Sequence, residues 1–117
     1  MTGDTLQKQT QKLVQELRRG VVVLAVLSQL HQEQYGYSLM TTLEEQGMQI
    51  DQGTLYPLLR RLEEQKLLES SWRMETARPR RYYTLSEFGI KVLHEMTREW
   101  SRIKTTVDQL LSSNKEN

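Results

Sequence analysis

The chain has 117 residues, 37% of them hydrophobic and 26% charged, with a net charge of +1. That is enough for one compact domain with a modest core, but the near-neutral balance gives no global attraction for a polyanion, so a nucleic-acid role has to rest on local charge. The absence of cysteine excludes disulfide frameworks, thiolate metal sites and cysteine nucleophiles.

The first predicted helix covers residues 5–30. Leu6, Leu13, Val14 and Leu17 form one stripe of it, and residues 21–27 are apolar on nearly all sides, which predicts a central core segment preceded by an amphipathic arm lying against another helix. The apolar run is far shorter than the roughly 20 residues of a membrane span, and the polar start lacks a signal-peptide pattern, so the cytoplasm is the expected compartment.

A second helix is predicted over residues 36–46, with Leu39, Met40 and Leu43 at helical spacing and Gly47 as its left-handed C-terminal cap. The third begins between Gln52 and Thr54, capped by Asp51, and places Leu55, Leu58, Leu59 and Leu62 on one face. Its opposite face carries Gly53, Pro57, Arg60 and Glu64, flanked by Thr54, Tyr56 and Arg61. Pro57 lacks the amide that would bond to the Gly53 carbonyl, which is tolerable only near the helix start.

Residues 67–73 and 80–85 read as two strands joined by a polar connection containing Pro79. Alternation sends one of Tyr82 and Tyr83 into the core and the other outward, while Trp72 reads as a packed residue of the hairpin. Arg73, Arg78, Arg80 and Arg81 lie within nine residues that hold one acid, Glu75. Ser86 caps a last helix running to about residue 111, along which Leu93, Met96, Trp100, Ile103, Val107 and Leu110 recur in steps of three and four. A stripe of that length, leaving so small a domain, calls for a second copy of the chain.

The expected fold is therefore mainly α with a small β component (α+β): a winged helix-turn-helix with a two-stranded wing over residues 1–85, including the N-terminal arm, and a dimerisation helix over residues 86–117. In such a motif the third helix lays its first turns in the major groove of DNA, and a basic hairpin reaches neighbouring backbone. Gln52, Gly53, Thr54, Tyr56, Pro57, Arg60 and Arg61 would face operator DNA from the helix, and Arg78, Arg80 and Arg81 from the wing. The same fold could serve as a protein–protein interaction module, with Arg60 and Arg61 paired to acids such as Glu63 and Glu64. His31 and His94 show no metal-ligand spacing, and no phosphate loop or nucleophile motif occurs; catalysis, a metal and a cofactor are not expected.

Several motifs occur together in order: Arg19-Gly20-Val21-Val22-Val23-Leu24-Ala25-Val26-Leu27, Tyr35-Gly36-Tyr37, Gly53-Thr54-Leu55-Tyr56-Pro57-Leu58-Leu59 with Arg61-Leu62-Glu63, and Arg78-Pro79-Arg80-Arg81-Tyr82-Tyr83-Thr84-Leu85. In this the chain resembles the PadR-like transcriptional regulators, in their smaller branch with a single C-terminal dimerisation helix. The resemblance implies a homodimer that represses genes from operator DNA and is released by a small molecule, with Tyr37, Thr54, Tyr56 and the wing arginines near the DNA. The segment around Trp100 is similar to that of a multidrug-sensing member in which paired tryptophans sandwich planar aromatic compounds, which implies a ligand-binding role for Trp100. One departure is Lys66, where the family commonly has a glycine that sets the helix exit and the angle of the wing.

Overall fold

The computed structural model describes residues 2–75 and 77–115. Their order is α1 (Thr2–Ser28), β1 (Gln34–Tyr35), α2 (Gly36–Glu45), α3 (Gln52–Glu64), β2 (Leu68–Glu75), β3 (Arg78–Leu85) and α4 (Glu87–Lys115). The three strands form one antiparallel sheet in the order β1-β3-β2. No described helix is long and apolar enough to cross a membrane.

The leucines of α3 are the centre of the core. Leu55, Leu58, Leu59 and Leu62 are buried together with Val26, Leu27 and Leu30 from the first segment, Leu39 and Leu43 from α2, Leu68, Tyr83 and Leu85 from the hairpin, and Leu93 from α4. Tyr83 is the inward tyrosine and Tyr82 lies on the other face of the sheet, as alternation requires.

Two helix exits have the same construction. At the end of α2 the Gly47 amide donates to the Glu44 carbonyl and that of Met48 to Leu43, with Gly47 at φ +95°. At the end of α3 the Lys66 amide donates to Glu63 and that of Leu67 to Leu62, with Lys66 at φ 68°. Both are Schellman motifs, so Lys66 adopts the left-handed conformation that a glycine would favour, and the turn is kept despite the residue.

Several elements differ from the sequence expectation. α1 ends at Ser28 and not at residue 30, because the Leu30 carbonyl is used to accept the Leu85 amide at 2.8 Å and the Thr84 hydroxyl at 3.2 Å. β1 is an addition: Gln34 and Tyr35 pair with Tyr83 and Tyr82. The wing strands are longer than expected, closing at Glu75 opposite Arg78, with Pro79 inside β3 opposite Met74. Proline is tolerated there because β1 covers only Tyr82 and Tyr83, leaving that end of β3 with an open edge.

The two long helices stand clear of the core. The radius of gyration is 17.5 Å, against about 13 Å for a compact chain of this length. On the α1 arm, Leu6, Leu13, Val14 and Leu17 are all exposed, so no described helix of the same chain covers them. Only Val26 and Leu27 of the apolar run in α1 are fully buried. Of the α4 stripe, Leu93 is buried in the chain's own core and Met96 packs against it, while Trp100, Ile103, Val107 and Leu110 are exposed. The stripe is thus divided: its first two members hold α4 to the domain, and the next four face outward.

Candidate nucleic-acid interface

The start of α3 is fixed before any ligand arrives. Asp51 has extended backbone dihedrals, and its carboxylate accepts the Thr54 amide at 2.8 Å, which is the N-cap expected from the sequence. Pro57 falls early in the helix. Gln52, Gly53, Thr54, Pro57, Arg60 and Arg61 are exposed around this end, and Tyr56 is half-buried. Gly36, the first residue of α2, lies against the Tyr56 ring, which a Cβ at that position would overlap. A glycine there lets α2 approach α3, and Tyr37 and Tyr56 line the same cleft.

These residues meet the wing across a cleft of about 560 Å³, whose lining includes Tyr37, Gln52, Tyr56, Arg60, Arg78, Arg80 and Arg81. Thr54, Pro57 and Arg61 turn to the other flank of α3, where they border a second groove with Arg18 and Arg19 of α1. Arg18 donates to the Gln49 carbonyl at 2.9 Å, tying the arm to the loop before α3. Neither arginine is among the residues expected from the sequence to face DNA; their position just ahead of the apolar run was the available signal.

The wing arginines are less free than a count of basic residues implies. Arg81 donates to Glu63 of α3 at 2.8 Å and to Ser70 at 3.1 Å, and Ser70 donates to the same carboxylate at 2.6 Å. This triad clamps the wing to α3. Arg80 pairs with Glu75 at 3.5 Å and lies 4.4 Å from the centre of the Tyr35 ring. Arg73 pairs with Glu33 and covers the Tyr82 ring at 4.4 Å. Among the described residues Arg60, Arg61 and Arg78 have no ion-pair partner. The pairing of Arg60 or Arg61 with Glu63 or Glu64 therefore does not occur; Glu63 is taken by Arg81, whose strand brings it closer. Arg80 and Arg81, expected as open phosphate donors, are held within the protein, Arg80 by Glu75 across the hairpin and Arg81 by Glu63 of α3, 18 residues away.

Trp72 is also placed differently from the packed position expected for it. It is 65% exposed and lines the cleft, because the face of β2 that packs Leu68 and Ser70 towards α3 continues beyond the helix at Trp72. The Tyr82 hydroxyl donates to Glu75, and this hydrogen bond holds its phenol above the usual tyrosine range; for Tyr83 burial does the same. Neither group titrates near neutrality. No cluster of three metal-ligating side chains occurs among the described residues.

Comparison with known proteins gives the same architecture. A PadR family transcriptional regulator of Eggerthella lenta superimposes with a TM-score of 0.85 at 42% identity, over 92% of this chain and 96% of that one. A PadR-like transcriptional regulator of Bacillus cereus gives 0.73 at 33% identity, over 82% and 96% of the two chains. A transcriptional regulator of Mycobacterium tuberculosis is 36% identical over 83 residues, 70% of this chain and 78% of that protein. Residues 23–95 match the transcriptional regulator PadR-like family, and with the winged helix-turn-helix described above the chain belongs to that family.

Proposed function

We propose that this regulator binds operator DNA as a homodimer, acts as a repressor in the cytoplasm, and is released from its site by a small-molecule effector. The observation that carries the DNA reading is the convergence of the capped start of α3, Tyr37 of α2 and Arg78 of the wing on one open cleft, with Arg60 unpaired inside it. A helix presented by its first turns, with guanidinium groups on either side, suits base edges in the major groove and the phosphates that border it. In this reading residues 1–85 make the DNA-binding part and residues 86–117 the dimerisation helix.

Support for the dimer comes from the two apolar surfaces that the single chain leaves open: Trp100, Ile103, Val107 and Leu110 on α4, and Leu6, Leu13 and Leu17 on the α1 arm. Their lengths suit mutual coverage by a second copy, which would fix the distance between two reading helices. Trp100 is 37% exposed in the single chain. Paired with its counterpart it would either fill the seam or receive a planar aromatic effector.

The deciding measurement is DNA binding to promoter fragments as a function of salt. Affinity falls steeply with salt, and Arg60→Ala or Arg78→Ala weakens binding and flattens the dependence by about 0.9 logarithmic units for each phosphate no longer neutralised. Binding that ignores salt and both substitutions would overturn the reading in favour of a protein-docking role. For the effector, quenching of Trp emission by planar aromatic compounds that is equal in the native chain and in Trp100→Ala would remove Trp100 from the site.

A further inference from the structure

On the flank of α3 turned away from the wing, α1 and α3 border a groove of about 660 Å³, within the roughly 300–1,000 Å³ of small-molecule sites. Its floor is apolar: Leu58 is buried, and Val22, Val23 and Ile50 pack against the core with part of their surface left open. Its rim is cationic. Arg18, Arg19 and Arg61 border it, and among the described residues none of the three has an ion-pair partner. The Arg18 guanidinium is held by the Gln49 carbonyl at 2.9 Å, a neutral acceptor that leaves its charge uncompensated. One carboxylate lies on this rim, that of Asp51, and it is committed to the Thr54 amide at 2.8 Å.

We propose that this groove binds a small amphipathic carboxylate, its head paired with Arg19 and Arg61 and its apolar part laid over Val22, Val23 and Ile50, and that the bound anion displaces DNA from the start of α3. A guanidinium offers parallel N–H donors to the two oxygens of a carboxylate. A short apolar chain or ring covers the floor, which an inorganic anion or a phosphodiester would leave in water. The groove also stays open when two chains associate. Gln15 and Val22, which line it, lie nine residues beyond Leu6 and Leu13 of the exposed stripe, and at about 100° per residue that is the opposite side of α1. A second copy seated on the leucines therefore leaves this side free. The site is separate from Trp100, which borders neither the groove nor the cleft beside the wing. Thr54 and Arg61 belong both to the rim and to the exposed face of α3, so an anion there neutralises a guanidinium that duplex phosphates would meet and adds negative charge beside them. The displacement rests on the DNA reading given above and supplies a ligand class and a place for the release proposed there.

The test titrates the full-length chain with octanoate by calorimetry, below the concentration at which it forms micelles, with acetate as the head alone and octylammonium as the chain with the opposite charge. Octanoate binds once per protomer, and both controls bind about tenfold more weakly or less, the weight of a few buried methylenes or of one charge-assisted hydrogen bond. Arg19→Gln and Arg61→Gln, at exposed positions without ion-pair partners, each lose on the order of tenfold in octanoate affinity. Saturating octanoate weakens binding to a duplex selected by the native chain from a random-sequence pool, and does so less for Arg61→Gln. Equal binding of octanoate and octylammonium, affinity unchanged in both arginine variants, or binding abolished by Trp100→Ala and kept in Arg61→Gln would each overturn the site. Octanoate that binds through the arginines and leaves duplex affinity as it was overturns the displacement. The calorimetry needs no duplex, so it decides the site even if the native chain binds no DNA and the reading above fails.

Discussion

Lys66 is a position where the local preference of the residue and the demand of the fold conflict, and the conflict has a measurable size. Its φ of 68° is the left-handed region, which costs an L residue with a Cβ about 1–2 kcal/mol. Replacing it by glycine removes that strain but gives the unfolded chain more freedom, an offset of roughly 0.5–1 kcal/mol. The net expectation for Lys66→Gly is a gain of about 0.5–1 kcal/mol per protomer, or a rise in Tm of about 2–5 °C for a domain of this size. The hydrogen bonds of the turn are unaffected, since they use the Lys66 amide and carbonyl, the latter accepting the Ser86 hydroxyl at 2.6 Å. Thermal melts at one fixed protomer concentration make the comparison, because a dimer's Tm depends on concentration. Lys66→Ala serves as the control: it keeps the Cβ and the strain, so it gains nothing. A Tm for Lys66→Gly at or below that of Lys66→Ala would show that the side chain, and not the backbone, decides stability here.

Gly36→Ala places a methyl group into the Tyr56 ring and should cost about 1–3 kcal/mol, with a matching loss of DNA affinity, measured by denaturant unfolding and by titration with duplex. Glu63→Gln leaves Arg81 without its charge partner; stability falls by about 1 kcal/mol, while DNA binding strengthens and its salt dependence steepens because a guanidinium is released and a carboxylate removed. Ile103→Asp on the exposed stripe of α4 shifts sedimentation from dimer to monomer without loss of helical content. In alkaline solution the raised pKa of Tyr83 keeps the native phenol protonated where the unfolded one has ionised, so stability falls as pH rises from about 10; Tyr83→Phe reduces that fall, which pH-dependent unfolding checks.

Much of the fold could be read from the sequence because it depends on neighbours along the chain. The leucine spacing of α3, the Asp51 cap, the Gly47 exit and the Ser86 cap each involve residues within about one helical turn, and each is found where it was expected. The features that were missed join segments distant in sequence. β1 exists only because Tyr35 and Gln34 meet Tyr82 and Tyr83, and two residues carry no strand pattern of their own. The early end of α1 follows from the Leu30 carbonyl being needed by Leu85, and the exposure of Trp72 follows from how far α3 extends beneath the sheet.

The same distinction changes how the wing should be understood. Counting basic residues in the hairpin gives Arg73, Arg78, Arg80 and Arg81, but three of these have acids supplied by the loop before β1, by α3 and by the other strand. Charge that is neutralised inside the protein releases few counterions from DNA when the complex forms. On the proposed DNA reading the electrostatic share of binding therefore falls to Arg60 and Arg61 on α3, to Arg78 at the hairpin end, and to Arg18 and Arg19 across the second groove. The three paired arginines instead keep the hairpin rigid and at a fixed angle to α3. A wing held in this way meets a partner at one angle and with little loss of entropy on binding.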